Sequence, residues 1–467
     1  MERFTRRAIY VMLLCVLIRL GVMVLAAPWT PATVERLVGD SDPRGYHTLG
    51  VNLAMGKGYF RYGESKSSDN KAEHKILSRD YAGEPEVLWP PGYPAFLALN
   101  YKIFGVQLTS VILLQILLAT VGCFFLISAV RLLYGERAGI WAGLLYSVDP
   151  VSVYLSNVVL SEALFIPMIA VVVYCFARVL SAETMTARFQ WVILLGVALG
   201  ACTWVRVSTF PLLAGLILLL CFLWWRRGGH IWRAAPLVLA LSVSFFVTIL
   251  PWYIRNYNLF GVWAFSTSGP YNLLAGLGYL EGKETLFRRA YQEALRDGKQ
   301  PHQLGPFERA QYWRKVALQE WQSEFPKHFL GYLKRWVVVM TTPSTSGWGE
   351  LLGIPLPQTS AVSISWSETL REFLKKVTSP LGIVAVYSVI YVGIVYLAVV
   401  FRVLSAFRTD KYLLYWLALA LISILTLVVV SAARGRVQAF LFLIPPAAAY
   451  LASKFPILKD ASAPQGE

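Results

Sequence analysis

Four carboxylates stand between apolar runs of this chain, where one face of a membrane bundle would collect them. Asp40 and Asp42 follow the first long apolar run, and Asp149 and Glu162 flank a short turn between two later ones. Carboxylates from separate loops that meet on one face can enclose a reacting centre, with one taking the proton from an attacking hydroxyl. Plainer roles compete with this. Asp42 precedes Pro43 and suits the start of a helix, and Glu162 follows Ser161 at a helix N-terminus, where the dipole favours negative charge.

A second group consists of arginines. Arg206, Arg255, Arg434 and Arg436 all fall at the ends of apolar runs, on the side where basic residues are otherwise scarce. The planar guanidinium fork matches a phosphate in geometry and charge, so several around one cavity would hold a lipid phosphate or pyrophosphate. Snorkelling to ordinary phospholipid headgroups is the competing role. Arg19 lies well inside the first apolar run and must face protein or a cavity; pairing with a buried carboxylate is its expected role. Trp89, Tyr93 and Trp252 lie beside these charges and can stack on a sugar, although interfacial belts account for most Trp and Tyr in such chains. No Walker A or Gly-x-Gly-x-x-Gly pattern occurs. An energy-requiring transfer without a nucleotide needs a pre-activated donor, and a lipid-linked phosphosugar suits the arginines.

The elements that must position these residues are membrane helices. Of 467 residues, 56% are hydrophobic and only 15% are charged, against about 25% charged in soluble domains. A soluble multidomain enzyme with this composition would expose far too much apolar surface. The net charge of +16 suits phospholipid headgroups and basic cytoplasmic loops, and nucleic acid is not an expected partner. Cys15, Cys123, Cys175, Cys202 and Cys221 all lie in apolar runs without a Cys-x-x-Cys pair, so they read as core residues. The five histidines show no metal-ligand spacing.

Ten runs have about the length a bilayer requires: 8–27, 107–130, 138–157, 160–179, 189–206, 208–225, 234–253, 380–401, 412–431 and 436–453. Arg3, Arg6 and Arg7 precede the first, and every second short loop thereafter is basic, as with Arg131 and Arg137, or Arg226, Arg227 and Arg233. The positive-inside rule then places both termini in the cytoplasm. Two long segments lie outside, 28–106 and 255–379. Within them the pattern predicts a short helix from Asp42, an excursion over 60–86, and a run from Gly92 to Gly105 that is either interfacial or a further span. Helical spacing recurs at Phe287, Ala290, Tyr291 and Ala294. The stretch 326–341 is expected to lie on the membrane, and 342–368 reads as loop. The expected organisation is a transmembrane module over 1–254, an extracytoplasmic segment over 255–379, further spans over 380–453 and a cytoplasmic tail over 454–467.

Four stretches make a larger pattern. They are Asp42 to Tyr46 running on to Ala54–Tyr59, then Pro90–Pro94 through Phe104 and Gly105, then Pro150 with Leu160–Glu162, and lastly Pro251–Asn256 with Gly261. Taken in this order, the sequence resembles the GT-C superfamily of integral-membrane glycosyltransferases. It is most similar to the branch of lipid A aminoarabinose transferases, protein O-mannosyltransferases and galacturonosyltransferase-like enzymes. The resemblance implies an all-α polytopic membrane protein with two large extracytoplasmic segments, and a polyprenyl-phosphate sugar as donor. It implies Asp42 as the base, with Asp40 able to share that role, and Glu162 as the second acid, where several relatives carry Asp.

The expected function is therefore inverting transfer of a sugar to an extracytoplasmic acceptor: lipid A or lipopolysaccharide, a cell-envelope glycan or a protein. Arg255, Arg434, Arg436 and Arg206 are the phosphate-binding candidates, and Tyr46, Trp89, Tyr93, Trp252 and Asn256 the substrate-binding ones. No cofactor is demanded, and the relatives differ in their use of a divalent metal. A bacterial inner membrane is the location the resemblance implies. A flippase of lipid-linked glycans and a non-catalytic accessory subunit are the alternatives.

Overall fold

The computed structural model describes residues 2–39, 41–60, 85–226, 230–281, 283–300, 304–354, 378–427 and 435–455. Asp40 and Arg434 lie outside the described residues, as does most of the expected 60–86 excursion. Apart from one bridge between Phe60 and Pro85, the described secondary structure is helical. The protein is an all-α, multi-pass membrane protein. Among the described residues eight helical segments are long and apolar enough to cross a bilayer.

The chain begins with α1 (Glu2–Ala26), α2 (Pro31–Val38) and α3 (Ser41–Ala54), followed by α4 (Gly92–Phe104), α5 (Leu108–Tyr134) and α6 (Glu136–Val148). The short α7 (Pro150–Leu155) precedes α8 (Glu162–Ser181), α9 (Met185–Val205), α10 (Phe210–Arg226) and α11 (Ala235–Phe260). Four helices, α12 (Ser268–Glu281), α13 (Lys283–Arg296), α14 (Pro306–Ser323) and α15 (Phe325–Thr341), precede α16 (Thr345–Leu352). Three more close the chain: α17 (Pro380–Ala406), α18 (Leu413–Leu427) and α19 (Arg436–Lys454). The expected spans correspond to these helices with three adjustments.

The run 138–157 is broken. Asp149 leaves the helical conformation, its carboxylate accepts the Val151 amide at 3.1 Å, and Pro150 opens α7. Proline has no amide to continue the ladder, so carbonyls at the end of α6 lose their helical partners. Arg19 replaces them. It donates to the carbonyls of Ser147 (3.2 Å) and Tyr146 (3.5 Å) and to Ser152 Oγ (3.0 Å). The expected carboxylate partner of Arg19 is thus supplanted by the carbonyls of a broken helix.

The second adjustment concerns α4. Its 13 residues rise only about 20 Å, too short to cross, and its Tyr93, Leu97 and Tyr101 are buried. The third is α16, a helix inside the region expected to be loop; Trp348 and Leu351 bury against the bundle and hold it there. Residues 355–377 are outside the described set.

Packing follows the apolar faces. The interior helix α5 lies against α8, and α9 against α11. That second seam is tight because Gly196 and Gly200 stack one turn apart. A Cβ at Gly196 would lie 2.0 Å from Ser244 Oγ, and one at Gly200 would lie 2.7 Å from Thr248 Cβ. Small residues four apart let membrane helices approach to backbone contact. At the C-terminus α19 is buried along nearly its whole length between α6, α17 and α18. Leu17, Val24, Leu218, Val247 and Leu397 point outward, as lipid-facing residues should.

The long connections gather at one end of the bundle, called here the loop-bearing end. There α12, α13 and α14 enclose a small core of Tyr271, Leu274, Leu286, Phe287 and Val316. Alongside runs α15, which exposes Phe325, Phe329, Leu330, Val337 and Val338. Its Tyr332 hydroxyl donates to the Leu425 carbonyl at 2.6 Å, and the Tyr396 hydroxyl of α17 donates to Met340 at 2.9 Å.

Candidate functional site

Asp42 sits in the first turn of α3, where a negative charge opposes the positive end of the helix dipole. The helix starts at Ser41, so Asp42 lies just inside it. One turn later comes Tyr46, on the same face. This face meets α4 closely because residue 50 is glycine: a Cβ there would lie 2.7 Å from Leu97 Cβ. The Tyr46 ring fits edge-on against Trp89 (centroids 4.6 Å apart) and Tyr93 (5.1 Å). All three rings are buried.

The Tyr46 hydroxyl reaches across to the loop before α8 and donates to Ser161 Oγ at 3.1 Å. Ser161 Oγ in turn donates to Glu162 Oε2 at 3.3 Å and accepts from Arg206 Nη1 at 3.0 Å. Arg206, the residue that ends α9, also pairs with Glu162 Oε1 at 2.8 Å. Glu162 is only 4% exposed, so this pairing keeps its carboxylate from being buried alone. Burial raises the Tyr46 phenol well above its ordinary range; Arg206 opposes the shift, while Asp42 and Glu162 add to it. Tyr46 thus holds its proton throughout the physiological range, and both carboxylates act on one hydroxyl.

A supporting layer fixes the loop that delivers Ser161 and Glu162. Gln115 of α5 donates to the carbonyls of Ser156 and Val158, each at 3.1 Å, and accepts the Tyr93 proton at 2.7 Å. Neither Ser161 nor Gln115 was among the site residues expected from sequence. Gln115 had a legible signal, a buried amide alone in a run of Leu, Ile and Val. Ser161 had none, since two of its three partners, Tyr46 and Arg206, are distant in the chain.

Arg255, Trp252 and Asn256 form a neighbouring cluster at the end of α11. Arg255 stacks on Trp252 with 4.4 Å to the ring centroid, and it donates to the Glu86 carbonyl (3.0 Å) and to Asn256 Oδ1 (2.7 Å). Asn256 gives its amide protons to Ala264 and Phe265, and the Trp252 indole also donates to Phe265. Gly261, at φ +68°, turns the chain so that these bonds close. The Glu86 carboxylate gathers the amides of Val87, Leu88 and Trp89, which shapes the approach to Trp89.

Arg436 begins α19 and is 1% exposed. It donates from Nη1 to the Thr342 carbonyl, while Nε and Nη2 find no partner among the described residues. Two residues on, Gln438 accepts from Ser208 at 3.3 Å, which ties this turn to the 3-10 turn (Val207–Thr209) following Arg206. Among the described residues no three His, Cys, Asp or Glu side chains come together as metal ligands.

Comparison with known proteins agrees with this architecture. Residues 89–254 match the dolichyl-phosphate-mannose-protein mannosyltransferase family. The archaeal oligosaccharyltransferase AglB from Archaeoglobus fulgidus, solved with an inhibitory peptide and a dolichol-phosphate, superposes with a TM-score of 0.54 at 12% identity. That match covers 96% of this chain and 50% of the other, so the chain spans about half the oligosaccharyltransferase's length. The A. fulgidus enzyme tethered to an acceptor peptide gives 0.55 at 12% identity, with the same coverages. ArnT from Cupriavidus metallidurans, bound to undecaprenyl phosphate, gives 0.42 at 14% identity, covering 95% of this chain and 77% of that one. No curated protein sequence matches. The fold is that of the GT-C class of membrane glycosyltransferases. The sequence match to the mannosyltransferase family covers residues 89–254.

Proposed function

We propose that the protein transfers a sugar from a polyprenyl-phosphate donor to an acceptor hydroxyl at the loop-bearing end of the bundle, on the extracytoplasmic side of a bacterial inner membrane. The observation that carries this reading is the convergence on Tyr46 of an acid from the first long loop, Asp42, and an acid from the turn before α8, Glu162. The similarly folded archaeal oligosaccharyltransferase, solved with a dolichol-phosphate, supports the donor class.

In the proposed step, Asp42 accepts the proton of the acceptor hydroxyl as its oxygen attacks the anomeric carbon. The bond from that carbon to phosphate breaks, and the phosphate departs on its lipid with inversion at the sugar. Asp40 is the alternative base, two residues earlier. Arg436 is the guanidinium suited to the departing phosphate, because two of its nitrogens make no bond among the described residues and a buried cation gains most from an oxyanion there. Arg255 is a second basic group for the donor phosphate, and Arg434 is kept as a candidate from the sequence alone. Arg206 instead neutralises Glu162, which makes Glu162 a holder of the site rather than a second base. Trp89 is the aromatic candidate for contact with the sugar, while Tyr93, fully buried, packs on Tyr46 inside the site.

The test is mass spectrometry of polyprenyl-linked lipids in a deletion strain complemented with wild type or with Asp42→Asn. A phosphosugar lipid that accumulates in the deletion and clears only with wild type supports transfer. Equal clearance by both versions would remove Asp42 from the mechanism and favour a flippase or an accessory subunit. The mass of the lipid narrows the sugar, and labelled acceptor fractions separate lipopolysaccharide, glycan and protein.

A further inference from the structure

Two hydrogen bonds fix the level of α15 against the bundle. The Tyr332 hydroxyl donates to the Leu425 carbonyl at 2.6 Å, and the Tyr396 hydroxyl donates to the Met340 carbonyl at 2.9 Å. Tyr396 lies sixteen residues after Pro380, about 24 Å along α17 from the loop-bearing end. Leu425 lies twelve residues after Leu413, about 18 Å along α18 from the opposite end. A hydrocarbon core of about 30 Å centred on these helices encloses both levels. The surrounding surface agrees. Ile394 and Leu397 of α17 and Leu421 of α18 are exposed apolar residues beside the two bonds, and Leu330, Leu333, Val337 and Val338 are their counterparts on α15. Water would make such a surface costly, whereas lipid tails accept it.

We infer that α15 is embedded in the leaflet at the loop-bearing end, with Leu330, Leu333, Val337 and Val338 in contact with lipid hydrocarbon. This is deeper than the position on the membrane expected from its basic residues, and those residues are accounted for. Lys327 pairs with Glu324 at 3.0 Å, His328 meets Glu320 at 3.3 Å, and Arg335 donates to the Gly276 carbonyl. Lys334 is exposed, and its four-carbon stem is long enough to lift the ammonium towards headgroup phosphates. The start of α15 stays with the small core, where the Phe325 ring packs edge-on against Trp321. Its far end leads into Thr342, whose carbonyl accepts from Arg436. The embedded helix therefore ends against the guanidinium assigned to the donor phosphate, although its depth does not depend on sugar transfer.

The experiment uses the full chain in nanodiscs of phosphatidylethanolamine and phosphatidylglycerol. A nitroxide is attached through Leu330→Cys, Leu333→Cys or Val337→Cys, one at a time, and wild type treated identically gives the background from the native thiols. Leu397→Cys on the spanning helix α17 and Leu295→Cys on the charged helix α13 supply the lipid and water references. Thermal unfolding confirms that each variant is folded. Collision rates with molecular oxygen, which concentrates in hydrocarbon, and with a water-soluble nickel chelate are read from the spin relaxation. The oxygen-to-nickel ratio at the α15 positions is expected to approach that of Leu397→Cys and to exceed that of Leu295→Cys by about tenfold or more, because the hydrocarbon excludes the hydrated chelate. A ratio like that of Leu295→Cys would place α15 in water and overturn the inference. Low collision rates with both reagents would mean that protein covers this face, a second copy of the chain included, and would overturn it equally.

Discussion

Two arginines at the loop-bearing end show how differently one residue type is used. Arg206 meets Glu162 at 2.8 Å and Ser161 at 3.0 Å, and its charge is answered within the protein. Arg436 is more deeply buried, yet it donates to the Thr342 carbonyl while two of its nitrogens find no partner among the described residues. Its guanidinium leans on the Phe440 ring, 5.7 Å from the centroid, and Asp149 acts on it only through space. Burying a cation is costly unless anions and acceptors surround it. The first arginine therefore reads as a fixture of the site, and the second as a group that a ligand completes.

The largest expected effect lies in the cluster of the first arginine. Asp42→Asn should lower turnover by about 10²–10⁴-fold while the protein still inserts, as loss of a general base does; assays of purified protein beside the complementation strains measure it. Next comes the second arginine. Arg436→Ala should raise the donor KM about tenfold to a hundredfold, the scale of a lost charge-assisted bond, and Arg436→Lys should recover only part. Unchanged kinetics in Arg436→Ala would erase the contrast.

For the first arginine, Glu162→Gln leaves Arg206 without its counter-charge and should destabilise the fold by about 2 kcal/mol. The double variant Glu162→Gln/Arg206→Met should regain much of the lost melting temperature. If Arg206 were a phosphate ligand instead, the double variant would bind donor poorly and the comparison would need redrawing. The smallest effect belongs to a control away from both arginines. Gly200→Ala presses a methyl group on Thr248 across the α9–α11 seam and should cost about 1 kcal/mol in melting experiments, with kcat nearly unchanged.

The parts of the site that the sequence disclosed are those with local signals. Asp42 beside Pro43 and Glu162 after Ser161 both announce helix starts, and Arg206, Arg255 and Arg436 announce themselves as charges at the ends of apolar runs. The pairing of Arg206 with Glu162 had no such signal, and Arg206 was expected to face phosphate. Forty-four positions separate the two, and only the crossing of α8 and α9 brings them together. Arg19 is parallel: its burial was legible from its place in an apolar run, but its partners at 146, 147 and 152 were not.

The amino-acid sequence by itself determined that the chain lives in a membrane and where most of its helices run. Apolar composition over about 20 residues is a local property, and the bilayer imposes it segment by segment. It also placed acids and arginines at helix ends. Tertiary structure alone decided which of those charges answer one another: Glu162 with Arg206, Tyr46 with Ser161, and Arg436 with little besides Thr342. Hydrogen bonds are directional over about 3 Å, and no periodicity along the chain encodes contacts of that precision between helices a hundred residues apart.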